Sequence, residues 1–401
     1  MITIQNADRA LKDYYLEAVT AQLNDGISPF FSAIEKNADN VFGKDVKIAV
    51  VRGASGNVMA GAEDADLPEA YKNRYLDITV PLKNIYGTIE ISDKALRASR
   101  DSSGAFVNLV NAEMDGLILS ARHNFQRMLF GDGTGALCTI ASKVSGSTYK
   151  VDIVKDYFAG MYVDINDYGS GVANDCAGLY ITSVDKAAKT VTFNRAFKEI
   201  VTNGKIYPHG SKNGELTGLG AIFDGEYLYG YKKSEESYFS PYKLDAENSL
   251  TEDKLLEVLD YMEENFNSRI NMIVCSYKTR RMIAALIANN RRIVNSTDAR
   301  TGVGFVSVND VPVYADKFCP DDRILFLNTD DFCLSQLCDW EWLEDESGKI
   351  LKQTSGKAAY TATLVKYAEL ICKKPYGLTK SLMKKGQKKG VFTHKKGIFR
   401  A

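Results

Sequence analysis

Histidine is scarce in this chain. Three stand among 401 residues, at 123, 209 and 394, and none neighbours a serine, cysteine or acid in a catalytic motif. Histidine is the side chain whose ordinary pKa suits proton transfer near neutrality, so its scarcity removes the usual general base from most enzyme classes. His123 falls inside a helical pattern and reads as a helix-surface residue. The seven cysteines (138, 176, 275, 319, 333, 338, 372) are odd in number and form no CxxC pair, which argues against a disulfide framework and a zinc ribbon alike. They read as buried thiols; Cys333 and Cys338 sit in an apolar context, FCLSQLC. No apolar run approaches the roughly 18 residues of a bilayer span, and MITIQNADRALKDYY lacks the apolar core of a signal peptide. Folding in a cytoplasm, with no membrane partner, is expected. The GDGTG at Gly131–Gly135 follows a helix, whereas a phosphate-binding loop follows a strand and opens a helix. Asp321 with Asp322 and Asp330 with Asp331 lack the spacing of a ligand set and read as solvated loop acids. No catalytic, cofactor-binding or metal-binding residue is nominated.

Apolar content of 45% and charged content of 25% are those of an ordinary globular protein, long enough for two or three domains. The net charge of −1 hides an asymmetry. After Glu369 there is no acid, while ten basic residues follow from Lys373 to Arg400, which leaves −11 on residues 1–369. An acidic body carries a basic tail, whose lysines suit an anionic surface.

The dominant stretch is Asp101 to Gly135. Phe106, Val110, Met114, Leu117, Ala121, Phe125 and Met128 recur in steps of four and three, one stripe along a helix. Asp101, Ser102 and Ser103 offer N-cap oxygens, and Gly131 is expected to end the helix in the left-handed conformation. Before it, residues 1–42 hold too little apolar surface for a core and read as an arm that packs on something else. Val46–Val51 is a strand, RGASGNVMAGAEDADLPEA has no period, and Leu76, Ile78, Val80 and Leu82 alternate with polar residues. Together these spell a two-stranded excursion that needs a partner surface. The phase then switches beside Pro81 to Ile85, Ile89 and Ile91, which means a bulge or a change of buried face. Ser92–Ser99 reads as a short capped helix.

Beyond the long helix, residues 140–222 carry short strands between Asp, Asn and Gly, as in a small all-β module. From Leu250 the texture is α/β. Thr251 caps a helix with Leu250 and Leu255 as a staple. Met272–Cys275 is a strand, Ser276 caps a second helix to Asn290, Asn309 and Asp310 turn a hairpin, and Ile324–Leu327 is another strand. Trp340 and Trp342 share a face, and Tyr360–Cys372 is a long final strand.

The order of these parts resembles the major capsid proteins of tailed bacteriophages, the Hong Kong 97 fold. RMLFGDGTGAL (Arg127–Leu137), VNDVPVYADKFCPDDRILFLN (Val308–Asn328) and the run from DWEWLE to YTATLVKYAELICKKP (Asp339–Pro375) carry the likeness. The resemblance implies an α+β fold with an N-terminal arm at 1–42, an extended loop at 43–90, and a peripheral domain with its spine helix at 91–139. A β-rich insertion would occupy 140–224, the axial domain 225–335, the peripheral return 336–382, and the basic tail 383–401. It implies a structural protein, not an enzyme, whose copies form the hexamers and pentamers of an icosahedral shell around double-stranded DNA held without sequence specificity. No long scaffolding extension precedes the arm, so assembly would need a separate scaffolding protein or none, and a portal is the other partner the resemblance implies. The alternatives are an encapsulin-like bacterial compartment, which shares the fold, and an α/β enzyme built on residues 250–335.

Overall fold

The computed structural model describes residues 28–53, 71–94, 103–166, 176–196, 203–245, 250–290, 304–346 and 348–382, with 23, 58, 60, 63 and 296–297. The start of the arm, the tip of the excursion, most of the Ser92–Ser99 helix, the caps Asp101 and Ser102, and the basic tail lie outside the described residues. The chain divides into two compact units, Met1–Ser240 with Thr329–Tyr376, and Pro241–Asn328 with Gly377–Ala401.

In the first unit, Ser28 caps helix α1 (Pro29–Ala33), its Oγ accepting from the Phe31 amide at 3.1 Å, and Pro29 supplies the preset φ of a first helical turn. The helix buries Phe30 against Phe332 and Phe31 against Phe125, edge to face at 5.1 and 5.3 Å. The described part of the arm therefore finds its packing partner within its own chain. Strand β1 (Glu35–Asn37) runs parallel to β20 (Phe332–Trp342). The short β2 (Val41–Phe42), β3 (Asp45–Gly53) and β4 (Arg74–Pro81) form a three-stranded antiparallel sheet, which is the excursion. At Pro81 the chain changes sheets. Strand β5 (Lys83–Ser92) joins β22 (Ala359–Cys372), which also pairs with β20 and β21 (Lys352–Gln353), so the phase switch marks a new partner and a new buried face.

Helix α2 (Ser103–Phe130) is the long rod, about 42 Å at 1.5 Å per residue. Met114, Ile118, Phe125, Met128 and Leu129 are buried, while Leu117 is half-buried. Leu117 lies over the bare backbone of Gly87 in β5, where a Cβ would stand 2.6 Å from Leu117 Cδ1. Next comes a closed antiparallel barrel of six strands: β6 (Cys138–Ser145), β7 (Thr148–Val151), β8 (Tyr162–Asn166), β9 (Leu179–Asp185), β10 (Thr190–Phe193) and β11 (Lys205–Pro208). Its inward side chains form a core of their own around Tyr149, Val163, Leu179, Val191 and Ile206. Closure removes sheet edges, which lets so small a module stand on its own core. The barrel ends at Pro208. Residues 209–224 hold turns and helix α3 (Leu219–Asp224), and a hairpin of β12 (Tyr227–Leu228) and β13 (Tyr231–Lys232) follows.

The second unit is a seven-stranded mixed sheet with two helices on one face. The strands are β14 (Tyr242–Asp245), β15 (Met272–Cys275), β16 (Ser296–Thr297), β17 (Gly304–Val308), β18 (Val311–Ala315), β19 (Arg323–Leu327) and β23 (Thr379–Leu382), in spatial order β14-β23-β19-β15-β18-β17-β16. Thr251 caps α4 (Glu252–Phe266) as read from the sequence, and Asn267 ends it in the left-handed conformation at φ 46°. The Ser276 hydroxyl accepts from the Thr279 amide at the head of α5 (Tyr277–Asn290). Leu255, Val258, Leu259 and Met262 of α4 and Ile283 of α5 share one cluster with Ile273, Cys275, Val313, Ile324 and Phe326 of the sheet. Asn309 and Asp310 take φ of 48° and 65° in the hairpin turn. This unit spans 241–328 of the stretch expected to be axial, and it also takes Thr379–Leu382, expected in the peripheral return. That strand inserts between β14, 137 positions away in sequence, and β19, pairings that local pattern does not carry.

Candidate assembly surfaces and buried polar sites

One face of the excursion is covered and the other is exposed. Val46, Val50, Ile78 and Val80 are buried, whereas Val51, Tyr71 and Tyr75 are exposed, the two tyrosines by 59% and 60%. Phe42 is 60% exposed beside it. Two polar contacts tie the excursion to the body: Tyr231 donates to the Asp77 carbonyl at 2.9 Å, and Arg52 pairs with Glu236 at 2.8 Å. Exposed aromatic side chains on the outer face of so thin a sheet are suited to another surface.

The end of α2 is shaped by an approach that local sequence does not announce. Gly131 does not take the left-handed conformation expected of it; positive φ falls on Gly133 (83°) and Gly135 (80°) instead. The orphan carbonyls of the last turn meet the backbone at the head of α3. A Cβ on Gly218 would lie 2.3 Å from the Met128 carbonyl oxygen, and one on Gly220 would lie 2.7 Å from that of Gly131. The Ala221 amide donates to the Gly131 carbonyl at 3.3 Å. The Met128 carbonyl accepts from the Gly131 amide at 3.0 Å, so the chain closes the last turn itself, and the backbone of Gly218 and Gly220 packs closely over that end. In the GDGTG turn, Asp132 Oδ1 accepts from the Thr134 amide and hydroxyl, which engages the loop internally. Gly135 gives room to Glu215, which forms a buried bidentate pair with Arg127 of the last α2 turn.

Two further charged residues are buried on β22. Glu369 Oε1 accepts from the Thr217 amide at 2.7 Å and from its neighbour Leu370 at 3.0 Å, while Oε2 has no hydrogen-bond partner among the described residues. Burial pushes this carboxyl up to about 7 against the pull of the Thr217 amide and Lys83. Lys366 donates to Gln336 at 2.8 Å and pairs with Asp339, with the rings of Phe125 and Trp340 within 6 Å. Burial lowers its pKa, and the Asp339 charge works the other way.

The sequence placed His209 near no acid, but the barrel fold sets its Nδ1 2.7 Å from Asp164 Oδ1. Burial disfavours the Asp164 anion, yet the amides of Gly210 and Gly178 and the His209 ring outweigh it and hold this carboxyl below its usual range. The His209 side chain is 59% exposed. His123 stands on α2, half-buried and edge-on to Phe158. Six of the seven thiols are buried and Cys338 is half-buried. Burial pushes Cys275 up to about 12 and Cys138 and Cys372 higher, which keeps them unreactive. Among the described residues, no three His, Cys, Asp or Glu side chains gather as a metal site, and no helix is long and apolar enough to cross a membrane.

No family model matches the sequence, and no curated relative does. Among solved structures, the cyanophage A-1(L) capsid asymmetric unit is similar at a TM-score of 0.51 and 12% identity, over 88% of this chain and 92% of that one. The chain has the Hong Kong 97-type capsid fold. At 12% identity the Hong Kong 97-type likeness lies in the path of the chain, not in shared side chains. The capsid of a native GTA particle is similar at a TM-score of 0.45 and 13% identity, over 91% of this chain and 90% of that one. An encapsulin complex from Synechococcus elongatus is similar at 0.45 and 10%, over 89% and 92%.

Proposed function

We propose that this chain is the major capsid protein of a tailed phage, a building block that self-assembles through hexamers and pentamers into an icosahedral shell around packaged double-stranded DNA. The observation that carries the reading is the fold itself, similar to a phage capsid subunit along nearly its whole length. The bare aromatic face of the excursion supports it, because a shell supplies each copy with the neighbour that this face lacks. The acidic body, −11 over residues 1–369, suits a container that must not adhere to its genome. The chain acts as structure and not as an enzyme in this reading, and a separate scaffolding protein and a portal complete the assembly. Its place is the virion capsid, after synthesis in the host cytoplasm. Size-exclusion chromatography of the purified chain tests the proposal: material in large particles, or monomer that converts to them on concentration, is expected. A small oligomer of fixed stoichiometry at every concentration would favour the enzyme reading. Shells loaded with protein and devoid of nucleic acid would favour a compartment.

A further inference from the structure

The two helices of the second unit carry opposite charges on their free faces. On α4, Asp253, Glu257, Asp260 and Glu264 are exposed at steps of four, three and four, which places them on one stripe. On α5, Lys278, Arg281, Met282 and Ala285 are exposed at steps of three, one and three, again on one stripe, and the helix contains no acid. Tyr277 and Met282 add apolar area to the basic face, 55% and 39% exposed. Neither set of charges is in a salt bridge among the described residues. Like charges at i,i+4, as in Asp253 with Glu257 and Asp260 with Glu264, work against an isolated helix. Such a stripe gains only from a cationic partner.

We propose that the acidic stripe of α4 in one copy docks on the basic, partly apolar stripe of α5 in the next copy. The inference rests on the shell reading and adds the residues of one contact to it. Both helices pack on the same face of the sheet and touch each other, and the charged stripe of each stands on its exposed side. Repeating the unit head to tail sets α5 of one copy beside α4 of the next. This contact is heterologous, the kind that closes into a ring when its rotation allows. Charge complementarity fixes the order and disfavours α4 against α4, where carboxylates would face carboxylates. Met282 and Tyr277 supply the apolar centre that a charged rim alone lacks.

Charge reversal tests this in the full-length chain. One variant carries Glu257→Lys with Asp260→Lys, a second carries Lys278→Glu with Arg281→Glu, and a third carries all four changes. All four positions are on the surface of the subunit, so unchanged melting of the unassembled subunit checks the fold of each. In sedimentation at low salt, each pair alone is expected to lose the fast-sedimenting assembled fraction, and the fourfold variant to regain it. Normal assembly by either pair, or no recovery in the folded fourfold variant, would overturn the contact while leaving the shell reading intact. Wild-type protein that forms only a small oligomer of fixed stoichiometry would overturn the shell reading, and this contact with it.

Discussion

Single residues set the pH response and the tight junctions of the first unit. Glu369 is fully buried with its pKa raised to about 7, so its neutral form belongs to the folded state. A raised carboxyl contributes stability that is complete below the unfolded-state value and is lost as pH rises through about 7. A shift of this size corresponds to roughly 3 kcal/mol at alkaline pH. Thermal unfolding of the subunit is therefore expected to weaken as pH rises from about 4.5 to about 7 and to level off above that, by on the order of those few kcal/mol, and Glu369→Gln to flatten that fall. An identical pH profile in the variant would contradict the burial of an ionisable group there. Gly218 sets the second limit. Its Cβ would strike three backbone carbonyl oxygens of the α2 end, at 2.3 to 2.7 Å, and backbone cannot rotate away as a side chain can. Gly218→Ala is expected to cost about 2–3 kcal/mol in urea unfolding, whereas Gly146→Ala, with open space around it but φ of 51°, should cost less.

At the scale of elements, α2 is the packing hub of its unit. Phe125 meets Phe31 of α1 at 5.3 Å and Trp340 of β20 at 6.0 Å, and Phe125→Ala is expected to cost about 3–5 kcal/mol in the same assay. Leu117→Asp should cost less, since Leu117 is half-buried over Gly87 and a carboxylate there keeps some water. The excursion gives the opposite pattern. Deleting Gly56 to Asp66 is expected to leave the melting temperature of the subunit unchanged and to abolish assembly, read by chromatography. Elements of this kind were legible in the sequence because their signals are local. The four-three spacing gave α2, alternation gave β4, and Thr251, Ser276 and the Asn309–Asp310 pair gave their caps and turn. What stayed hidden depends on distant partners. Parallel pairing of β1 with β20, entry of β23 between β14 and β19, closure of the barrel and the carbonyl contacts at Gly218 leave no periodic trace. The buried Lys366 and Glu369 read as surface charges in any strand pattern, and only their tertiary partners explain them. The Gly131 expectation failed for the same reason, because the Gly131 carbonyl is held by the Ala221 amide of α3, a distant partner, and the positive φ falls on Gly133 and Gly135.

At the scale of the whole molecule, the chain has the fold of a shell subunit, a bare aromatic excursion, an acidic body and a basic end. Each is a modest feature in a monomer, and in the proposed shell each would face a neighbouring copy. The acidic body also sets a salt response, since screening falls within about 10 Å at 0.1 M salt and weakens any contact between oppositely charged faces. The most direct measurement is cryo-electron microscopy of the full-length chain purified from expressing cells. The expected result is a lattice of sixfold and fivefold capsomers, in closed shells or in the tubes and sheets that the same contacts build when curvature is uncontrolled. Discrete small oligomers at every concentration and salt, with no such lattice, would contradict the account.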